Sequence, residues 1–191
     1  MRRLDPKDGK LILPPPRRGV YSIGIQLREP LEVRIRGKPY RLEIGNYVYT
    51  GSALGAGNNL HTRIRRHLLG MKKEHWHLDQ ITNSRHTSIS FVVFSETDRK
   101  MECIVNKAAS AFAQAETPLP GFGSSDCRSG CKSHLLRLGE KDNLTDMIRA
   151  YESLGLNPKT LEVKREKLTG RREKNQVRIR RSQDARSQKE Q

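Results

Sequence analysis

The sequence predicts an α+β fold: a small central sheet, mixed or antiparallel, flanked by helices. Three observations carry that reading. Short stretches alternate apolar and polar residues with period two and are rich in β-branched side chains. Longer stretches place apolar residues at i, i+4 and i+8. The first strands are joined by short turn chemistry of the hairpin kind.

Taken in order, residues 1–18 read as an arm. Leu11-Ile12-Leu13 runs into Pro14-Pro15-Pro16 and Arg17-Arg18, a stiff polyproline-like lead-in. Residues 20–27 (VYSIGIQL) form the first strand. Residues 31–35 form a second, with Leu31, Val33 and Ile35 on one face. Arg36-Gly37-Lys38-Pro39 turns the chain, and residues 40–44 return. Residues 47–50 make a further strand closed by Gly51-Ser52.

A glycine-rich loop, 51–57, leads into a helix that Asn58 or Asn59 can cap. Its apolar face is Leu60, Ile64 and Leu68, with Arg63 and His67 four residues apart on the neighbouring stripe. Residues 74–83 read as a short second helix carrying His75, Trp76, His77 and Asp79, either as part of a site or as a structural or DNA-contacting cluster with Trp76 as a core anchor. Residues 88–94 are apolar on both faces, as in an interior strand. Residues 100–115 are alanine-rich and helical, with Glu102 in the first turn. Residues 117–132 turn to Pro, Gly, Ser and Cys and read as a long structured loop, followed by a last strand at 134–138.

A helix at 143–154, capped by Asn143 or Thr145 and ended at Gly155, closes the regular part. The expected organisation is therefore an arm at 1–18, a main domain at 19–140, a C-terminal helix at 141–158 and a disordered basic tail at 159–191. The tail carries twelve Lys or Arg against five Asp or Glu.

Of the 191 residues, 34% are hydrophobic and 30% charged, which fits one domain with segments outside its core. The net charge of +16 points to a polyanionic partner, nucleic acid first. No apolar run approaches the ~20 residues of a spanning helix, so a membrane is not expected as partner. The first residues are charged without an apolar core, so no signal peptide is expected. An odd cysteine count, three, suits a reducing compartment, and the cytoplasm is the expected location. Oligomeric state has no signal in the sequence.

The chemistry-bearing residues form an ordered set. Gly19-Val20-Tyr21 lies on the first strand. Tyr49-Thr50-Gly51 ends a later strand, and the following helix carries Leu60, Arg63 and His67. Glu102 opens the next long helix. In order and spacing this set resembles the GIY-YIG nuclease superfamily over residues 19–138. It is similar in particular to a branch marked by Tyr-Val-Tyr-x-Gly-Ser-Ala, His-Trp-His-Leu-Asp, Glu-Cys and Gly-Phe-Gly-Ser-Ser-Asp-Cys, which stand here at 47–53, 75–79, 102–103 and 121–127. The stretch between the two tripeptides is longer than in the nucleases, and an extra hairpin near 31–42 would absorb it.

The resemblance implies a metal-dependent endonuclease that hydrolyses phosphodiester bonds, with DNA expected ahead of RNA and repair as the setting. The alternative is a non-catalytic nucleic-acid-binding module that keeps the fold. By resemblance Tyr21 is the base, Tyr49 positions phosphate or water, and Glu102 holds one Mg²⁺ or Mn²⁺. The residue types suit these roles. A carboxylate is a hard oxygen ligand for such ions, and a guanidinium at Arg63 can take a phosphate in two hydrogen bonds. A tyrosine base needs its pKa, ordinarily ~10, pulled down, and His67 can assist or replace it.

Arg63, Arg65, Arg66, Lys72 and Lys73 form a basic stretch suited to the phosphate backbone rather than to base readout. His75 and His77 could ligate a metal if extended but diverge on a helix. With Asp79 they are further site candidates, as are Ser124, Ser125 and Asp126 at the cleft rim. Cys103, Cys127, Cys131 and His134 could make a Cys₃His zinc site, the Cys-x₃-Cys-x₂-His segment being compact enough.

Overall fold

A computed structural model describes residues 13–69, 73–124, 127, 129–139 and 143–162. The fold is α+β: a five-stranded antiparallel sheet with helices on both faces. In chain order the elements are β1 (Gly19–Leu27), β2 (Leu31–Ile35), β3 (Lys38–Leu42), β4 (Gly45–Ala53), α1 (Leu60–Leu68), α2 (His77–Thr82), β5 (Thr87–Glu96), α3 (Glu102–Phe112), β6 (Leu135–Leu138), α4 (Asn143–Glu152) and β7 (Lys159–Glu162). The sheet order is β6-β4-β1-β5-β7, and every neighbouring pair is antiparallel.

The period-two pattern of β1 sorts its side chains between two cores. Tyr21, Ile23, Ile25 and Leu27 join Leu60, Ile64 and Leu68 of α1 and Leu78 and Ile81 of α2. Val20 joins Val105 and Ala109 of α3 and Met147, Ala150 and Tyr151 of α4 on the opposite face. β1 is central and almost wholly buried, as a strand covered on both sides must be. At nine residues α1 would be marginal alone. Burying Leu60, Ile64 and Leu68, each worth roughly 1.5–3 kcal/mol, fixes it to the sheet. Asn59 is its cap: Oδ1 accepts from the Thr62 amide at 3.0 Å, and Thr62 Oγ1 accepts from the Asn59 amide at 3.1 Å.

The additional hairpin is present. β2 and β3 form a separate two-stranded sheet through a tight turn in which Arg36 and Gly37 both have positive φ, 50° and 79°. Gln80 of α2 holds β2 in place, accepting from the Arg34 amide at 2.7 Å and donating to its carbonyl at 3.0 Å.

Several expectations shift. Residues 159–162 do not begin a disordered tail; they form β7, an edge strand paired with β5 through Phe91 to Phe94. The cause is local: Thr160 is β-branched, and Leu161 buries itself in the main core. β6 is therefore not the last strand. α4 is no appendage, since it closes the second core. Trp76 is not a core anchor: it precedes α2 and is 38% exposed. The described residues of the 117–132 loop are tied down by hydrogen bonds, as expected of a structured loop. The Gly121 amide bonds the Lys132 carbonyl at 2.7 Å, and the His134 amide bonds the Phe122 carbonyl at 2.9 Å. Residues 1–12 of the arm and 163–191 of the tail lie outside the described residues. Among the described residues no helix is long and apolar enough to cross a membrane.

Candidate functional site

The β1–β4 register brings the two tripeptides together. Tyr21 stands opposite Gly51, and Ile23 opposite Tyr49, so the two tyrosines are diagonal neighbours on one face. A Cβ on Gly51 would lie 2.8 Å from the Tyr21 hydroxyl oxygen, so the tyrosine ring occupies the space a larger residue would need. Both tyrosines line a cleft of about 560 Å³. α1 contributes Arg63 to it, the lead-in and start of α2 contribute His75, Trp76 and His77, α3 contributes Glu102, and the loop region contributes Gly123, Cys127 and His134.

Behind Tyr21 runs a buried chain of polar groups. The Tyr21 hydroxyl and His67 Nε2 are 3.1 Å apart. His67 Nδ1 faces Asp79 Oδ1 at 3.8 Å, and both side chains are shut off from solvent. Asp79 Oδ2 accepts from Arg66 Nη2 at 2.6 Å and from the amides of His75 and Trp76 at 2.9 and 3.0 Å. The carboxylate thus caps α2 and anchors the His-Trp-His segment at once. In the tautomer that carries its proton on Nδ1, beside Asp79, Nε2 is the atom that accepts from the Tyr21 hydroxyl. Burial drives the Tyr21 pKa well above the usual tyrosine range. Proximity to Tyr49 adds to the rise, and Arg63 opposes it. The expected lowering is therefore absent in the protein alone.

Tyr49 packs edge-on to Phe122, with ring centres 6.3 Å apart. Gly123, at φ 68°, passes so close that a Cβ there would sit 2.5 Å from the Tyr49 ring. The Gly123 amide also donates to His77 Nδ1 at 3.3 Å, tying the loop to α2.

Across the cleft Glu102 is only 5% exposed, and Lys100 Nζ lies 3.6 Å from its Oε1. Its Oε2 is buried without a hydrogen-bond partner among the described residues. A buried carboxylate oxygen in that state is costly unless something in the cleft satisfies it, and a hard divalent cation does so directly. Arg63 Nε is buried and unpartnered in the same way, and the guanidinium lies 4.0 Å from the centre of the Trp76 ring.

Beside Glu102, Cys103 opens a second cluster. The ligand atoms of Cys103, Cys127, Cys131 and His134 all lie within 4.8 Å of one another and could hold a metal ion. Cys103 Sγ is 3.4 Å from Cys127 Sγ and 3.6 Å from His134 Nε2. Burial raises the Cys103 thiol, and burial with its two thiol neighbours pushes Cys131 up to about 12. Burial also raises Cys127, but hydrogen bonds from Cys131, Cys103 and Ser129 outweigh it and bring that thiol down to about 7. Crowded thiols resist ionising together, and a cation at their centre removes the conflict. His134 links this cluster to the tyrosine strand, since its carbonyl accepts from the Thr50 amide at 3.0 Å.

The structure thus brings Tyr21, Tyr49, Arg63, Glu102, His75, His77, Cys127 and His134 to one cleft, with His67 and Asp79 directly behind it. Cys131 lines a neighbouring groove with Lys132 and Arg36. Arg65 and Lys73 are exposed, as a backbone-contacting role requires. Arg66 is turned inward to Asp79 and the Lys73 carbonyl, so it braces α1 against α2. Lys72, Ser125 and Asp126 lie outside the described residues. Unforeseen lining residues are Arg34, Glu74, Gln80 and Lys100. Lys100 could have been found from its place beside Glu102, whereas Arg34 reaches the cleft through a hairpin with no local signal.

The profile that matches the chain is that of the family described as Domain of unknown function DUF123, over residues 20–156. The chain belongs to that family. No curated protein and no solved structure matches it. The DUF123 match runs from β1 to just past α4, so it contains the whole polar cleft and the four-residue metal-ligand cluster.

Proposed function

We propose that this protein is a metal-dependent endonuclease that hydrolyses phosphodiester bonds in DNA. The observation that carries the reading is the convergence of Tyr21, Tyr49, Arg63 and Glu102 on one cleft, with Glu102 Oε2 buried and unpartnered. The resemblance of the tripeptides and their helix to GIY-YIG nucleases supports it, as does the net charge of +16.

Each side chain has a task. Arg63 holds the phosphate and offsets the charge that develops on it. Tyr21, aligned by His67, takes a proton from the attacking water while passing its own hydroxyl proton to His67 Nε2, and the nearby Asp79 carboxylate stabilises the resulting imidazolium. This relay replaces the low tyrosine pKa that burial denies. Tyr49 bounds the space the water or phosphate must occupy. Glu102 is the residue to hold one Mg²⁺ or Mn²⁺, which when bound supplies Lewis-acid neutralisation of phosphate charge. The Cys103–Cys127–Cys131–His134 cluster is the zinc site. Soft thiolates with one imidazole suit that ion, and ligand atoms all within 4.8 Å of one another are close enough that they would share it. Three cysteines that form no disulfide fit a reducing, cytoplasmic setting.

One observation favours a second reading, a nucleic-acid-binding module without turnover. Tyr21 is 2% exposed and its proton is held firmly by burial. Incubating the protein with supercoiled plasmid and with branched DNA, in Mg²⁺ and in Mn²⁺, separates the two. Nicking is the expected outcome. Tight, salt-sensitive binding with no strand break under any of these conditions would replace the enzyme reading with the second.

A further inference from the structure

We infer that Trp76 is a stacking platform for an unpaired nucleobase, placed beside the phosphate held by Arg63, so that the strand enters the cleft locally unpaired. The inference rests on the nucleic-acid reading and narrows it to a substrate class: single-stranded, flapped or flipped rather than continuous duplex.

Trp76 is the only tryptophan of the chain. An indole is ordinarily drawn into the core, where its large apolar surface is removed from water. Here it stays 38% exposed and lines the cleft. The position is not loose. The Trp76 amide is fixed to Asp79 Oδ2 at 3.0 Å, and the amide before it, of His75, is fixed to the same oxygen at 2.9 Å. The Arg63 guanidinium lies 4.0 Å from the ring centre, and the His75 ring meets the indole edge-on with centroids 5.2 Å apart. Asp79 is itself wholly buried and clamped by Arg66. An exposed aromatic held this rigidly carries little ordering cost when something stacks on it.

The chemistry around it selects the ligand. Arg34, Arg63 and Lys100 bring positive charge to the same cleft. A cation and an aromatic surface side by side match the two halves of a nucleotide, phosphate and base. Stacking on an aromatic side chain needs a base face. In a continuous duplex the neighbouring pairs occupy those faces, and only the edges are offered. A ring inside a cleft of about 560 Å³ is therefore reached by a base that has left its stack.

The single tryptophan gives a direct readout. The intrinsic fluorescence of the full chain is titrated with a single-stranded oligonucleotide and with a blunt duplex of equal length, at one salt concentration and without divalent cation. The expected result is quenching by the single strand and little by the duplex. Trp76→Ala weakens single-strand binding about tenfold, while duplex binding stays within about twofold. Trp76→Phe retains most of the affinity, and circular dichroism checks the fold of both variants. If the single strand binds without quenching and Trp76→Ala binds it as wild type does, stacking is overturned while nucleic-acid binding stands. If neither DNA binds, the nucleic-acid reading falls and the stacking role falls with it.

Discussion

On one wall of the cleft stands Tyr21 of β1, with His67 of α1 and Asp79 of α2 behind it: the hydroxyl is at hydrogen-bond distance from the imidazole, the imidazole faces the carboxylate at 3.8 Å, and the carboxylate accepts from Arg66 and two backbone amides. On the other wall, Cys127 and His134 line the cleft and Cys103 and Cys131 stand behind them; the four come from a helix start, a long loop and the approach to β6, and their thiols crowd one another. The first wall is held by regular elements and their own hydrogen bonds. The second brings together four groups that could hold a metal ion, and on the proposed reading a zinc ion fastens them. Placement by secondary structure and placement by a ligand are two routes to one site, and they should fail differently.

The largest expected difference concerns that second wall. Removing zinc with a strong chelator, or replacing Cys127 and Cys131 together by Ser, should lower Tm by more than about 10 °C, because metal binding energy at such a site is folding energy. Thermal melts paired with elemental analysis check it. One zinc per chain is expected in the wild type and none in the double variant. An unchanged melt after complete chelation would break the comparison, leaving both walls self-supporting.

A smaller effect sharpens the account of the first wall. Burial, and after it Tyr49, hold the folded Tyr21 neutral, whereas in the unfolded chain it titrates near the ordinary value of 10.0. Above that pH the folded state binds more protons. The stability this provides is complete below about pH 10 and is lost as pH rises further. Tyr151 behaves alike, raised first by burial. Tyr21→Phe should therefore flatten the alkaline loss of stability by up to about 1.4 kcal/mol per pH unit. Urea denaturation from about pH 9 to about pH 11 reads this out. Equal slopes for the variant and wild type would show that Tyr21 is not sealed as described.

Much of the first wall was legible in the sequence because it follows local periodicities. Alternation placed Tyr21 on a strand, the i, i+4 spacing placed Arg63 and His67 on one helix, and the Asn58-Asn59 pair marked where that helix starts, with Asn59 the residue that caps it. Glu102 in a first helical turn was legible for the same reason. Other features depend on contacts between distant segments. A core-anchor role for Trp76 was one of the readings open for the His-Trp-His run, and the indole stays out because Asp79 fixes its backbone and Arg63 covers part of its ring. Arg66 looked like one more cation for phosphate until Asp79, thirteen residues on, claimed it. β7 hid at the edge of a basic run because only Thr160 and Leu161 carry a strand signal. Arg34 reaches the cleft only through its hairpin's link to Gln80. The four candidate metal ligands were readable by type, but their meeting depends on contacts that bring Cys127, Cys131 and His134 back to Cys103 at the start of α3.

The central claim is that the two walls frame a phosphodiester-cleaving site in which Glu102 holds the divalent cation. The most direct test is the single-turnover cleavage rate of wild type against Glu102→Gln, on the same DNA in saturating Mg²⁺ or Mn²⁺, with zinc content and fold verified as equal. The account predicts a fall of about a thousandfold with DNA binding in the absence of divalent cation unchanged. Cleavage by Glu102→Gln at the wild-type rate would contradict it.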